Sequence, residues 1–156
     1  MRNMNRILIV DDHALFRGAV RDLLSQEPDI RIVGEAGNLR EALHCVEAYS
    51  PDLVLTDLAM PDARGIDAVT ELKRHYPDVK IVVVSFHREN EYKRGCRRAG
   101  AVGYVVKDAI GDELREGIRA VLGGKAYMGA DAAEAMFSDY VADIGVASVD
   151  ASCLLH

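Results

Sequence analysis

Asp11 and Asp12 follow the apolar run RILIV, Asp57 follows LVLT, Ser85 follows VKIVVV, and Lys107 follows VGYVV. Three carboxylates, a hydroxyl and an ammonium could do chemistry together only if the ends of those runs converge. Singly, each has a plain structural explanation. Asp11 and Asp12 could cap a helix, Asp57 could open a turn with Pro61, and Lys107 could be a solvated strand end. As a group they are harder to explain that way. Two carboxylates about 5 Å apart repel by roughly 3 kcal/mol at an effective dielectric near 20, and three carboxylates make three such pairs. One lysine does not offset that. A hard divalent cation with oxygen ligands does, and Mg²⁺ suits a site of one or two carboxylates completed by waters and phosphate oxygens. The chemistry that uses these parts is phosphoryl transfer to a carboxylate. A cation and an ammonium neutralise charge on the phosphoryl oxygens while a hydroxyl donates to one of them.

Convergence requires a particular architecture. From residue 6 to about 123, short β-branched runs alternate with segments of helical period, the pattern of a parallel sheet covered by helices on both faces, an α/β doubly wound fold. The predicted strands are Arg6 to Val10, Ile30 to Ala36, Leu53 to Thr56, Val79 to Val84 and Val102 to Val106. In such a sheet the active crevice lies beyond the carboxyl ends of the strands, where the five polar residues stand. Leu15, Phe16, Ala19, Val20, Leu23 and Leu24 form one apolar helical stripe. Leu39, Ala42, Leu43 and Val46 form a second, with Asn38 and Glu41 spaced as a capping box. Ile66, Val69, Leu72 and Tyr76 outline a third helix, and Leu114, Ile118, Val121 and Leu122 a fifth that stops at Gly123-Gly124. The fourth, about Asn90 to Ala99, has only Tyr92, Cys96 and Ala99 to turn inward. Lys93, Arg94, Arg97 and Arg98 make it strongly basic, either a face for a partner or a second copy or merely solvated charges, and Gly95 lowers its propensity by about 1 kcal/mol relative to Ala.

The 156 residues suit one compact domain, residues 1 to 125, followed by a tail, residues 126 to 156, in which Ala132, Ala133, Met136, Phe137, Tyr140 and Val141 suggest one amphipathic helix. At 49% apolar and 28% charged residues, the composition is that of a globular protein rather than a disordered or membrane chain. No run is long enough for a membrane span or shaped like a signal peptide, so a cytoplasmic location with no membrane association is expected. Cys45, Cys96 and Cys153 lack metal-ligand spacing and read as free thiols. The tail holds five acids and no Lys or Arg, and so carries −5 of the net charge of −6. Neither part has the basic excess of a nucleic-acid surface.

The blocks ILIVDDH, LVLTDLAMPDARGID, VVVSFH and AGAVGYVVKD, in this order and spacing, resemble the motifs of response regulator receiver domains over about residues 5 to 124. The resemblance implies a flavodoxin-like sheet of order 2-1-3-4-5. It implies that Asp57 accepts a phosphoryl group from a phosphohistidine on a sensor histidine kinase. Asp12, Asp57 and the backbone carbonyl of Ala59 would hold Mg²⁺, with Asp11 acting through water. Lys107 would pair with Asp57 and then with a phosphoryl oxygen, Ser85 would donate to another, and Tyr104 would be the aromatic switch residue. Ala59 and His87 would border the path of the hydrolytic water. Such a domain is a signalling switch rather than an enzyme acting on other substrates, and a homodimer is a candidate assembly.

Asp108 stands where many receivers have proline. With GYVVKD and AVLGGKAYM, it resembles the receivers of transcription factors that carry a LuxR-type helix-turn-helix. Nothing in the tail resembles that effector, so DNA binding is expected only through a missing C-terminal domain. The chain reads either as a receiver cut from a longer regulator, which is preferred, or as a regulator without the usual output. Two other readings share features. An aspartyl-nucleophile phosphatase places a second acid two residues after the first, where this chain has Ala59. A flavodoxin-type cofactor binder offers backbone donors to a phosphate in its first loop, where Asp11 and Asp12 would repel one. A receiver acting only as a protein-binding module is the stronger competitor.

Overall fold

The structure is a computed structural model that describes residues 4–109 and 111–129. Its elements alternate along the chain as β1 (Asn5–Val10), α1 (Ala14–Leu24), β2 (Ile30–Ala36), α2 (Leu39–Tyr49), β3 (Leu53–Asp57), α3 (Asp67–His75), β4 (Lys80–Ser85), α4 (Asn90–Ala99), β5 (Gly103–Val106) and α5 (Asp112–Leu122). All strand pairs are parallel, and the sheet order is β2-β1-β3-β4-β5. Strand order reverses at β1, so β1 and β3 flank the switch point at which crossover loops diverge and leave a crevice.

The period-two alternation of the strands sorts their side chains onto two faces. Ile7, Ile9, Leu53, Leu55, Val82 and Val84 pack beneath α1 and α5, against Val20, Leu24, Leu114, Ile118 and Val121. Leu8, Val10, Val54, Ile81, Val83 and Tyr104 pack on the other face with Ala42, Val46, Ala68, Val69, Leu72 and Cys96 from α2, α3 and α4. Each fully buried aliphatic side chain contributes about 1.5–3 kcal/mol of transfer free energy, which makes the strands the rigid base of the site.

The helix ends carry the expected signals with additions. Asn38 accepts from the Glu41 N–H at 2.8 Å, and Glu41 in turn accepts from the Gly37 N–H at 2.8 Å. Asp62, on the loop after β3, accepts from the N–H groups of Leu39 and Arg40 at 2.8 and 3.0 Å, so the same helix start is capped twice. Gly65 in that loop adopts a φ of +54°, a left-handed turn position.

Two expectations are corrected. Leu15 does not join the buried stripe of α1 and is 92% exposed. It lies about 140° round the helix axis from Val20 and about 180° from Leu24 at 100° per residue, so the arc of α1 that meets the sheet is narrower than its apolar stripe. Lys93 is not a solvated charge on α4 but is 2% exposed. It stands three residues before the buried Cys96, on the same helical face, and its methylene stem shares that burial. Arg94 and Arg97 are half-buried and Arg98 is exposed.

After α5 the chain turns back along the sheet. Tyr127 donates its N–H to the Val102 carbonyl at 2.9 Å and accepts at its own carbonyl from the Tyr104 N–H at 2.7 Å. Met128 is buried in the same layer as Tyr104. The helix expected around Ala132 to Val141 lies outside the described residues.

Candidate active site

Parallel register brings the chemistry-bearing residues together. Val10 pairs with Thr56, and Asp57 pairs with Val84, so the residues that end β1, β3 and β4 emerge side by side at one edge. Asp57 is the last residue of β3 and Ser85 the last of β4, each one position inside the strand rather than after it. Lys107 opens a single 3₁₀ turn directly after β5.

Asp11, Asp57, Ser85 and Lys107 are all buried, whereas Asp12 and Ala59 face solvent. The Asp57 carboxylate is oriented by backbone donors: its Oδ1 accepts from the Leu58 N–H at 2.7 Å and the Ala59 N–H at 3.3 Å. Its Oδ2 accepts from Lys107 Nζ at 3.2 Å. The same ammonium stands closer to Asp11, 2.8 Å from Oδ2, so Lys107 is shared between two carboxylates rather than paired with Asp57 alone. Burial acts to lower the Lys107 pKa, but Asp11 and Asp57 outweigh it and hold the ammonium charged, above its ordinary value. The ammonium also lies 4.5 Å from the ring centre of Phe16 and 5.4 Å from that of Phe86.

His13 is a member of the cluster that sequence reasoning passed over. Its N–H donates to Asp11 Oδ1 at 2.8 Å, and its Nδ1 lies 3.1 Å from Asp11 Oδ1 and 3.1 Å from Asp12 Oδ1. Its place next to two aspartates, at a helix start, was the available signal. One ligand atom from each of Asp11, Asp12, His13 and Asp57 falls within a span of 4.8 Å. Three carboxylates and one shared lysine leave an excess of negative charge. Asp11 Oδ2, although in ion-pair range of Lys107, has no aligned hydrogen-bond donor despite its burial. Both observations fit a hard cation at this edge, with Asp12, Asp57 and Asp11 available to hold it.

Ser85 Oγ accepts from the His87 N–H at 3.1 Å. Tyr104 is fully buried, directed inward, and its hydroxyl donates to the His87 carbonyl. Burial pushes that hydroxyl's pKa up to about 12, although the neighbouring Ser85 hydroxyl works the other way. The His87 ring stacks on Tyr92 of α4, with centroids 4.0 Å apart and planes 10° from parallel. Cys96 is buried and its thiol pKa is pushed up to about 12 by burial, and Cys45 is half-buried. A wide groove of 1120 Å³, lined in part by Arg6, Asp52, His75 and Lys80, lies at the opposite edge of the sheet and shares no residue with the aspartate cluster. Among the described residues, no helix is long and apolar enough to cross a membrane.

Comparisons with known proteins agree with this geometry. The profile of the response regulator receiver domain family matches residues 7–119. The chain is 38% identical over 126 residues to the transcriptional regulatory protein DegU of Brevibacillus brevis, a match covering 81% of this chain and 53% of that protein. It is 35% identical over 135 residues to the DNA-binding transcriptional activator DevR/DosR of Mycobacterium tuberculosis, covering 86% of this chain and 62% of the relative. The chain thus spans less than two thirds of the length of these relatives. Among solved structures, a LuxR-family two-component response regulator from Aurantimonas sp. SI85-9A1 superimposes with a TM-score of 0.81 at 31% identity, covering 89% of this chain and 99% of that one. The non-phosphorylated receiver domain of RcsB from Escherichia coli gives 0.76 at 25% identity, covering 81% and 98%. With the family profile spanning most of the sheet and every strand in its order, the chain belongs to the response regulator receiver domain family.

Proposed function

We propose that the chain is a phosphorylation-controlled switch in which Asp57 is the acceptor, charged by a phosphohistidine on a sensor histidine kinase. The observation that carries this reading is the orientation of Asp57: two backbone N–H groups hold Oδ1 while Lys107 holds Oδ2, so the carboxylate is fixed at the sheet edge before any donor arrives. In the transfer, an Asp57 oxygen forms the new P–O bond as the P–N bond breaks, and the electron pair leaves with the imidazole. Lys107 then moves its contact to a phosphoryl oxygen, and the Ser85 hydroxyl, now an acceptor for the His87 N–H, donates to another. Mg²⁺, held by Asp12, Asp57 and the Ala59 carbonyl with Asp11 acting through water, would supply charge neutralisation for the incoming phosphoryl oxygens.

The named relatives are transcription regulators longer than this chain. We place any DNA-binding output in an effector outside residues 1 to 125, with residues 126 to 156 as a linker and tail. Phosphorylation would act on a partner or second copy through α4 and β5, the elements joined to the site by His87 and Tyr104.

The test is intact mass after treatment with acetyl phosphate. A gain of one phosphoryl group that requires Mg²⁺ and is lost in Asp57→Asn is the expected result. Equal labelling of Asp57→Asn, or labelling undiminished by a chelator, rules the assignment out.

A further inference from the structure

Phe86 is difficult to account for by folding alone. It is a large apolar side chain, 69% exposed, belongs to neither core layer, and follows directly after Ser85 at the edge where the acceptor stands. Phe16, from the first turn of α1, is half-buried against the core. These two rings reach the same atom from different elements: Lys107 Nζ is 4.5 Å from one centroid and 5.4 Å from the other, both within the range of a cation–π contact. The side chain between them is 6% exposed.

The geometry points to an aromatic clamp: Phe16 and Phe86 are positioning residues that hold the Lys107 ammonium over the Asp11–Asp57 pair, ready for a phosphoryl oxygen. This rests on the reading of Asp57 as the acceptor. A free lysine side chain samples many rotamers and is heavily hydrated, and both must be given up when it meets a transferring phosphoryl group. A lysine already confined between two ring faces and two carboxylates has given them up beforehand, so its charge stabilises the transition state without reorganisation. The two carboxylates hold the ammonium at 2.8 Å and 3.2 Å but do not set the path of the stem that carries it there. The rings limit where the stem can lie while leaving the ammonium's donors free for oxygen.

Phe86 is the position to test, because Phe16 also contributes to the core. Phe86→Ala and Phe86→Leu should slow Asp57 labelling by acetyl phosphate by about two- to fivefold, the range of an exposed cation–π contact, with thermal stability unchanged. Phe86→Tyr, which keeps the ring face, should restore the wild-type rate. In proton NMR of the wild type, the Lys107 ε-methylene signal should be shifted upfield by the ring currents, and that shift should shrink in Phe86→Leu and persist in Phe86→Tyr. Wild-type rates in Phe86→Leu, with the lysine signal still as far upfield as in the wild type, overturn the clamp. So does slowed transfer from a kinase with unchanged labelling by acetyl phosphate, which would make Phe86 a docking residue instead. Absence of label on Asp57 in the wild type is a separate outcome that removes the parent reading, whereas the lysine shift still reports whether the clamp exists.

Discussion

The Tyr104 hydroxyl donates a 2.6 Å hydrogen bond to the His87 carbonyl, which ties the centre of β5 to the loop that follows Ser85. The same His87 donates its N–H to Ser85 Oγ and lays its ring on Tyr92. One loop residue therefore touches the site hydroxyl, the buried aromatic and the fourth helix.

Replacing Tyr104 with Phe keeps the ring and removes only the donor to His87. We expect a loss of about 0.5–1.5 kcal/mol in urea unfolding, the usual net value of one hydrogen bond. Tyr104→Ala should cost about 3–5 kcal/mol through the cavity it leaves. A Tyr104→Phe protein as stable as wild type would mean that the hydroxyl does not anchor the loop.

Stability should fall in alkali, and the sign follows from burial. Cys96 and Tyr104 both have pKa values raised to about 12, from ordinary values of 9.0 and 10.0. The folded state thus keeps protons that the unfolded chain has released. Their contribution is complete below about pH 9 and is lost as pH rises towards 12. Urea midpoints measured from pH 8 to 11.5 should decline, and the decline should be shallower in Cys96→Ala and, above pH 10, in Tyr104→Phe. Parallel curves for all three proteins would show that these groups do not drive it.

Lys107→Met leaves Asp11 and Asp57 buried without their shared cation. In chelator, the variant should unfold with a stability loss of about 3 kcal/mol or more, as expected for one partner removed from a buried ion pair. Added Mg²⁺ should raise its melting temperature by more than it raises that of the wild type, since the ion then offsets charge that lysine no longer covers. Equal Mg²⁺ shifts in both proteins would show that lysine and the cation do not compete for the same carboxylates.

Much of this protein is set by local pattern. Five β-branched runs, stripes of helical period, the Asn38 cap and the Gly123-Gly124 stop each depend on neighbours in sequence, and strands and helices formed where those patterns stand. Asp11, Asp12, Asp57, Ser85 and Lys107 were legible because a parallel sheet collects its strand ends at one edge, so their position after apolar runs already implied proximity. Other features depended on distances between elements, which no spacing along the chain encodes. The sharing of Lys107 between Asp11 and Asp57, the approach of Phe16 and Phe86 to its ammonium, and the second cap that Asp62 supplies to α2 are all of this kind. Leu15 and Lys93 show the same limit from the other side. Hydropathy gives each residue type one preference, but exposure is decided by which arc of a helix meets the sheet, and that arc is a property of packing. It left a leucine in water and took a lysine inside.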